Sequence, residues 1–156
     1  MYSITPKHKQ SGVMLLEALV GILIFSIGIL ALVGLQATAV KNQTDAKYRA
    51  DASYLTNQII GQMWLDRANF ASYSHNPNPA VTAATPPTCN PGAAPSANAN
   101  VTAWTTRVTN ALPGATAAKQ QIIINAASNN QVTVVVCWKR IQDTSYHNYM
   151  ATTYIN

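Results

Sequence analysis

The stretch from Gly12 to Leu35, GVMLLEALVGILIFSIGILALVGL, decides how the rest of the chain is read. From Val13 to Leu35 its 23 residues carry only two polar side chains, Glu17 and Ser26. As an α-helix this run is about 35 Å long at 1.5 Å per residue, enough to cross a bilayer once. A carboxylate such as Glu17 is costly in hydrocarbon and is rarely kept there without a task. A secretory signal peptide has a hydrophobic core of about 7 to 15 residues and no acid inside it, so length and Glu17 argue against one. The competing reading stays open, because Ala37-Thr38-Ala39 has the small-x-small form of a signal-peptidase site. Cleavage there would release a soluble protein beginning at Val40.

Upstream lies a short segment, Met1 to Gly12, polar over most of its length and carrying Lys7, His8 and Lys9. The junction, two lysines, then Gln10-Ser11-Gly12, then Val13-Met14-Leu15-Leu16-Glu17, resembles the leader of type IV pilins and type II secretion pseudopilins. The resemblance implies an organisation of residues 1–12 as a prepilin leader, 13–40 as a transmembrane and assembly helix, and 41–156 as a periplasmic head. It implies cleavage between Gly12 and Val13 by a prepilin peptidase, N-methylation of Val13, and a register role for Glu17. The first mature residue of that family is more often Phe or Met, so Val13 departs from the pattern that Gly12 and Glu17 carry.

In that family the glutamate attracts the free N-terminal amine of a neighbouring subunit. Both groups are expensive in hydrocarbon, and pairing offsets their desolvation only when subunits are in register. A glutamate snorkelling to the interface from one turn inside the helix is the alternative. Gly21, Gly28 and Gly34 each weaken the helix by about 1 kcal/mol relative to Ala and also permit close helix contact. The family's helix often melts at a proline where this chain has Gly34, so melting is less strongly encoded here. Lys7 and Lys9 precede the apolar run while Lys41, Lys47 and Arg49 come after it, so counting charges leaves orientation open. A cytoplasmic leader, an inner-membrane span and a periplasmic head are implications of the resemblance.

Charged residues make up only 10% of the 156 residues, and the formal net charge is +5. Without Lys7 and Lys9 the balance is eight bases against five acids, or +3. The bases are scattered, without the clustered, aromatic-interleaved stripe of a nucleic-acid face. The residues beyond the span are enough for one small domain. Cys89 and Cys137 both lie in that part, and in an oxidising compartment an isolated pair most simply forms one disulfide. Closing that loop of about 49 residues would stabilise the fold by roughly 4 kcal/mol on the chain-entropy model. Two unpaired thiols is the other reading.

Tyr48, Ala52, Leu55, Ile59 and Met63 recur at spacings of four and three, with Ile60 and Trp64 beside them, an amphipathic stripe that would face a sheet. The pattern predicts one helix from about residue 13 to 70, with Asp45 and Arg49 able to pair four residues apart on its outer face. From Ser74 to Asn100, Pro77, Pro79, Pro86, Pro87, Pro91 and Pro95 exclude helix and central strand, which predicts a long surface loop or a flexible connector. A short helix from Trp104 to Leu112 should end at Pro113-Gly114. Strands are expected over Gln120 to Asn125, Gln131 to Arg140 and Tyr146 to Ile155, with Val132, Val134, Val136 and Trp138 on one face. Three antiparallel strands on a long helix give a pilin-like α+β fold.

The Leu112-Pro113-Gly114 turn before one strand and Val132-Thr133-Val134-Val135-Val136-Cys137-Trp138 in the next resemble minor pilins of the type IV pilus modification group. The resemblance implies a structural subunit that takes part in pilus assembly or initiation and supports adhesion and twitching motility. Its partners would be other pilins and minor pilins, the prepilin peptidase and an inner-membrane assembly platform. A minor pseudopilin of a type II secretion system is the alternative, as is an adhesin or DNA-uptake module carried on the stalk. No catalytic residues, cofactor or metal are expected. The five acids form no pair suited to acid–base work, and His75 and His147 read as isolated surface residues.

Overall fold

No proline interrupts the chain between Val13 and Leu65, and apolar and small residues dominate it, so a single helix can run through. In the computed structural model, which describes residues 11–78, 80–81, 88–92 and 94–156, helix α1 spans Ser11–Leu65 without a break at Gly21, Gly28 or Gly34. Residues 1–10 of the expected leader, and Pro79, Pro86 and Pro87 of the proline-rich stretch, lie outside the described residues. The chain divides into two units, Met1–Thr44 and Asp45–Asn156.

Helix α1 stops at Leu65, short of the expected residue 70. Asp66 ends it: its carboxylate accepts from Asn69 Nδ2 at 2.8 Å and from the Tyr73 hydroxyl at 3.1 Å. A tighter 3-10 turn, Arg67–Tyr73, comes next. Helix α2 spans Ala99–Ala111 and starts five residues before Trp104, because the Asn98 side chain accepts from the Asn100 amide and caps it. It ends before Pro113. Gly114, with φ of +60°, makes the turn, and a Cβ there would run into the Lys139 carbonyl oxygen.

Strands β1 (Gln121–Asn125), β2 (Gln131–Trp138) and β3 (His147–Tyr154) form an antiparallel sheet in the order β1-β2-β3. Asn129 and Asn130, both with positive φ, carry the β1–β2 connection. Ile122 pairs with Val134, Ile124 with Val132, and Tyr149 with Val136, so one face alternates as the sequence pattern requires. That face packs on Ala52, Leu55, Ile59 and Met63 of α1 and on Val101, Trp104 and Val108 of α2. Trp104 reaches across to donate Nε1–H to the Leu55 carbonyl at 2.9 Å. Trp64, expected beside this stripe, is instead 39% exposed, with the Arg67 guanidinium 4.6 Å from its ring centre.

The other face of the sheet is covered too. Val81 packs with Val135 and Cys137, and the Cys89–Cys137 disulfide ties the proline-rich segment to β2 with Cα atoms 5.8 Å apart. Strand β2 is therefore buried from Val132 to Trp138, which is why its sequence is a near-continuous apolar run. The described parts of the segment between residues 74 and 98 are a cover held by hydrogen bonds.

Candidate functional site

Gly12, Val13 and Glu17 all lie on the first turns of α1. Every large apolar side chain from Val13 to Leu35 is at least 45% exposed. The hydroxyls in this half of the helix are satisfied locally: Ser26 donates to the Ile22 carbonyl at 2.7 Å, Thr38 to Gly34 at 3.2 Å and Thr44 to Val40 at 2.9 Å. Such back-bonding lets a hydroxyl sit in an apolar medium without an outside partner. Glu17 has no such arrangement, and among the described residues it has no hydrogen-bond or ion-pair partner. One helix length thus holds an apolar cylinder, long enough to cross a membrane, with a single exposed carboxylate one turn after Val13.

A second constellation lies at the end of unit 2 where its chain begins. Arg140, on the β2–β3 connection, is only 7% exposed and is surrounded by acceptors. Its Nε and Nη2 fork onto the two Asp143 oxygens at 2.9 Å each, and its Nη1 pairs with Asp45 at 2.6 Å. Asp143 also accepts from the Arg140 amide at 3.1 Å and contacts His147 Nε2 at 2.9 Å. The Arg140 fork, and then its backbone and His147 contacts, hold the Asp143 carboxyl far below the usual carboxylate range. Asp143 in turn raises the Arg140 guanidinium above its ordinary value. Asp45 therefore pairs with Arg140 across the fold, in place of the expected local pair with Arg49. His147, expected to be isolated, bonds Asp143 four residues away and stacks on Trp138 with ring centres 5.8 Å apart.

His75 is also corrected: it is 4% exposed. Its backbone bridges Ile122 in both directions, at 3.0 and 2.8 Å. Its Nδ1 accepts the Ser96 amide at 3.0 Å, which puts the ring proton on Nε2, facing the Ala117 carbonyl at 3.0 Å. The His75 backbone thus holds the start of the proline-rich cover to β1 while its neutral ring joins Ser96, near the end of the cover, to Ala117, and burial pushes its pKa below the ordinary value. Gln120, fully buried, accepts from the Cys137 amide at 2.8 Å and donates to its carbonyl at 3.0 Å. It extends the sheet's hydrogen bonding past the end of β1.

Between α1 and α2, Lys47, Asp51, Tyr54, Arg107 and Asn110 line an open groove floored by Leu55. Its charges are mixed, and nothing about their placement points to a reaction. The cysteine pair expected from the sequence, Cys89 and Cys137, is joined in a disulfide. Sequence reading missed the Arg140 cluster, which joins the β2–β3 connection to Asp45 of α1, and the His75 clasp, which joins Ser96, Ala117 and Ile122. The one local signal was Asp143 standing three residues after Arg140 and four before His147.

The chain matches no protein-family model, no curated protein and no solved structure.

Proposed function

We propose that this chain is a structural subunit of a helical filament, a minor pilin that takes part in assembly or initiation of a type IV pilus. It is cut between Gly12 and Val13, methylated on Val13, and held in the inner membrane by residues 13–40 with its head in the periplasm until assembly. Afterwards it lies in the pilus on the cell surface, where it supports adhesion and twitching motility. The observation that supports this reading is Glu17, without a partner among the described residues, in the otherwise apolar and exposed run Val13 to Leu35 of a helix whose continuation packs in an α+β head. A carboxylate inside an apolar span and without a partner among the described residues calls for one from outside, and the free amine of a neighbouring Val13 has the right charge. The disulfide beyond the helix agrees with an oxidising periplasm.

The opening Leu15-Leu16-Glu17-Ala18-Leu19-Val20-Gly21 also suits a minor pseudopilin of a type II secretion system. Deletion in the native host separates the two. The pilus reading expects fewer surface pili and reduced twitching with normal export of secreted enzymes, restored by the natural gene and not by a Glu17→Leu variant. Loss of enzyme export with pili intact would replace it with the secretion reading.

A further inference from the structure

Among the described residues the sheet ends on β3, which has no strand on its outer side. In an antiparallel ladder residues alternate, one turning its amide and carbonyl toward the neighbouring strand and the next turning both away. The Ile155 amide donates to the Asn130 carbonyl at 3.1 Å, one step past the pairing of Tyr154 with Gln131. Ile155, Thr153 and Ala151 therefore face β2, and Met150, Thr152 and Tyr154 turn outward. The same alternation carried across β2 turns Ile122 outward on β1, and there the His75 backbone takes both its groups, at 2.8 and 3.0 Å. The two edges differ accordingly. β1 is closed at Ile122, whereas the outward amides and carbonyls of Met150, Thr152 and Tyr154 have no backbone partner among the described residues.

An open edge is ordinarily blunted by a lysine, a proline, an inward charge or a bulge. β3 has none of these. From Asn148 to Asn156 the sequence holds no charged residue, proline or glycine, and the register with β2 runs without a skip. Two of the three outward residues are also held by their side chains: the Thr152 hydroxyl bonds the Thr133 hydroxyl at 3.1 Å, and the Tyr154 hydroxyl accepts from Gln131 Nε2 at 3.1 Å.

The outward groups are symmetric about Thr152, which makes the edge complementary to itself. With a second β3 laid alongside in the antiparallel sense and Thr152 opposite Thr152, Met150 meets Tyr154 and Tyr154 meets Met150. Each pair exchanges amide and carbonyl in both directions, about six hydrogen bonds in all. The side chains match as well. On the back of the sheet a thioether lies beside a phenol ring and threonine beside threonine, both favourable cross-strand pairs. On the front, Ala151 opposite Thr153 brings only small groups together. We infer that unit 2 pairs with a second copy of this chain through β3, giving one continuous antiparallel sheet across the two copies. The inference concerns unit 2 alone and does not depend on the filament reading.

The test uses the full chain in detergent micelles, where sedimentation should show a concentration-dependent equilibrium between monomer and dimer. Thr152→Lys, and equally Thr152→Asp, sets like charges opposite each other at the centre of the pairing and should weaken the dimer about fivefold. An equal mixture of the two variants should restore it, a result that a merely damaged fold would not give. Both native cysteines are joined, so a single introduced cysteine reports alone. Thr152→Cys should link to its counterpart on mild oxidation, and Ala127→Cys in the β1–β2 connection should not. A chain that stays monomeric at every concentration overturns the inference. A dimer that both charge variants leave unchanged, that the mixture fails to restore, or that forms without the Thr152→Cys link also overturns it, and assigns the association to another surface.

Discussion

Leu30 and Ile59 stand on the same helix, yet one is 71% exposed and the other 0%. Unit 1 presents apolar side chains around the whole circumference of α1, whereas in unit 2 the stripe through Ala52, Leu55, Ile59 and Met63 is buried against the sheet and α2, leaving Tyr54, Trp64 and Leu65 outside it. A helix apolar all round has no inside of its own and must be given a surrounding medium or partners, while an amphipathic helix brings its partner in the same chain. The difference shows that one continuous helix carries two folding instructions, and that only the second is satisfied within this molecule.

The sharpest way to break that comparison is to make the same deletion in each half. Ile59→Ala should lower the stability of unit 2 by about 2–5 kcal/mol, because it leaves a cavity in the core. Leu30→Ala should leave the thermal transition of unit 2 unchanged. Denaturant titration of both variants in detergent checks this, and equal losses would mean that the two halves do not differ as described.

The disulfide comes next. Its closure belongs wholly to unit 2, with a sequence separation of 48 residues. Cys89→Ser with Cys137→Ser should cost about 2–4 kcal/mol and loosen the cover over the back of β2 before the front. Hydrogen exchange at Val135 and Cys137 rising ahead of that at Ala52 and Ile59 is the expected signature. The helicity of residues 13–35 should not change.

Acidification should also act on unit 2. Burial lowers the folded pKa of His75, so below its unfolded value of about 6.5 the unfolded chain binds more protons and stability falls as pH drops toward the folded value. Asp143 has the same sign in a lower window: its contribution is full above the unfolded value of about 3.9 and is lost as pH falls toward its depressed folded one. A melting-temperature profile checks both. His75→Gln should flatten the upper segment, and Asp143→Asn the lower.

The smallest effect is expected at Asp45, the first residue of unit 2. Its side chain is 37% exposed, and Arg140 keeps the Asp143 fork without it, so Asp45→Asn should cost less than about 1 kcal/mol. A larger loss in denaturant titration would show that the Arg140 cluster depends on α1 more than its geometry implies.

Legibility from sequence divides along the same line. The apolar run, the stripe through Ala52, Leu55, Ile59 and Met63, and the alternation of β2 are local periodicities, and all three are readable. Helix ends are less so, because Asp66 and Asn98 act through side-chain bonds that compete with the helix. Trp64 is misplaced by its spacing because a position beside the stripe can face the core or the solvent, and Arg67 gives it a partner outside. The His75 clasp and the Asp45–Arg140 pair join residues far apart in the chain. No spacing rule encodes them.

The most direct test of the central claim is the intact mass and N-terminal sequence of the protein extracted from membranes of its native host. The account predicts a chain that begins at an N-methylated Val13. A chain that begins at an uncut Met1, or at Val40, would contradict it.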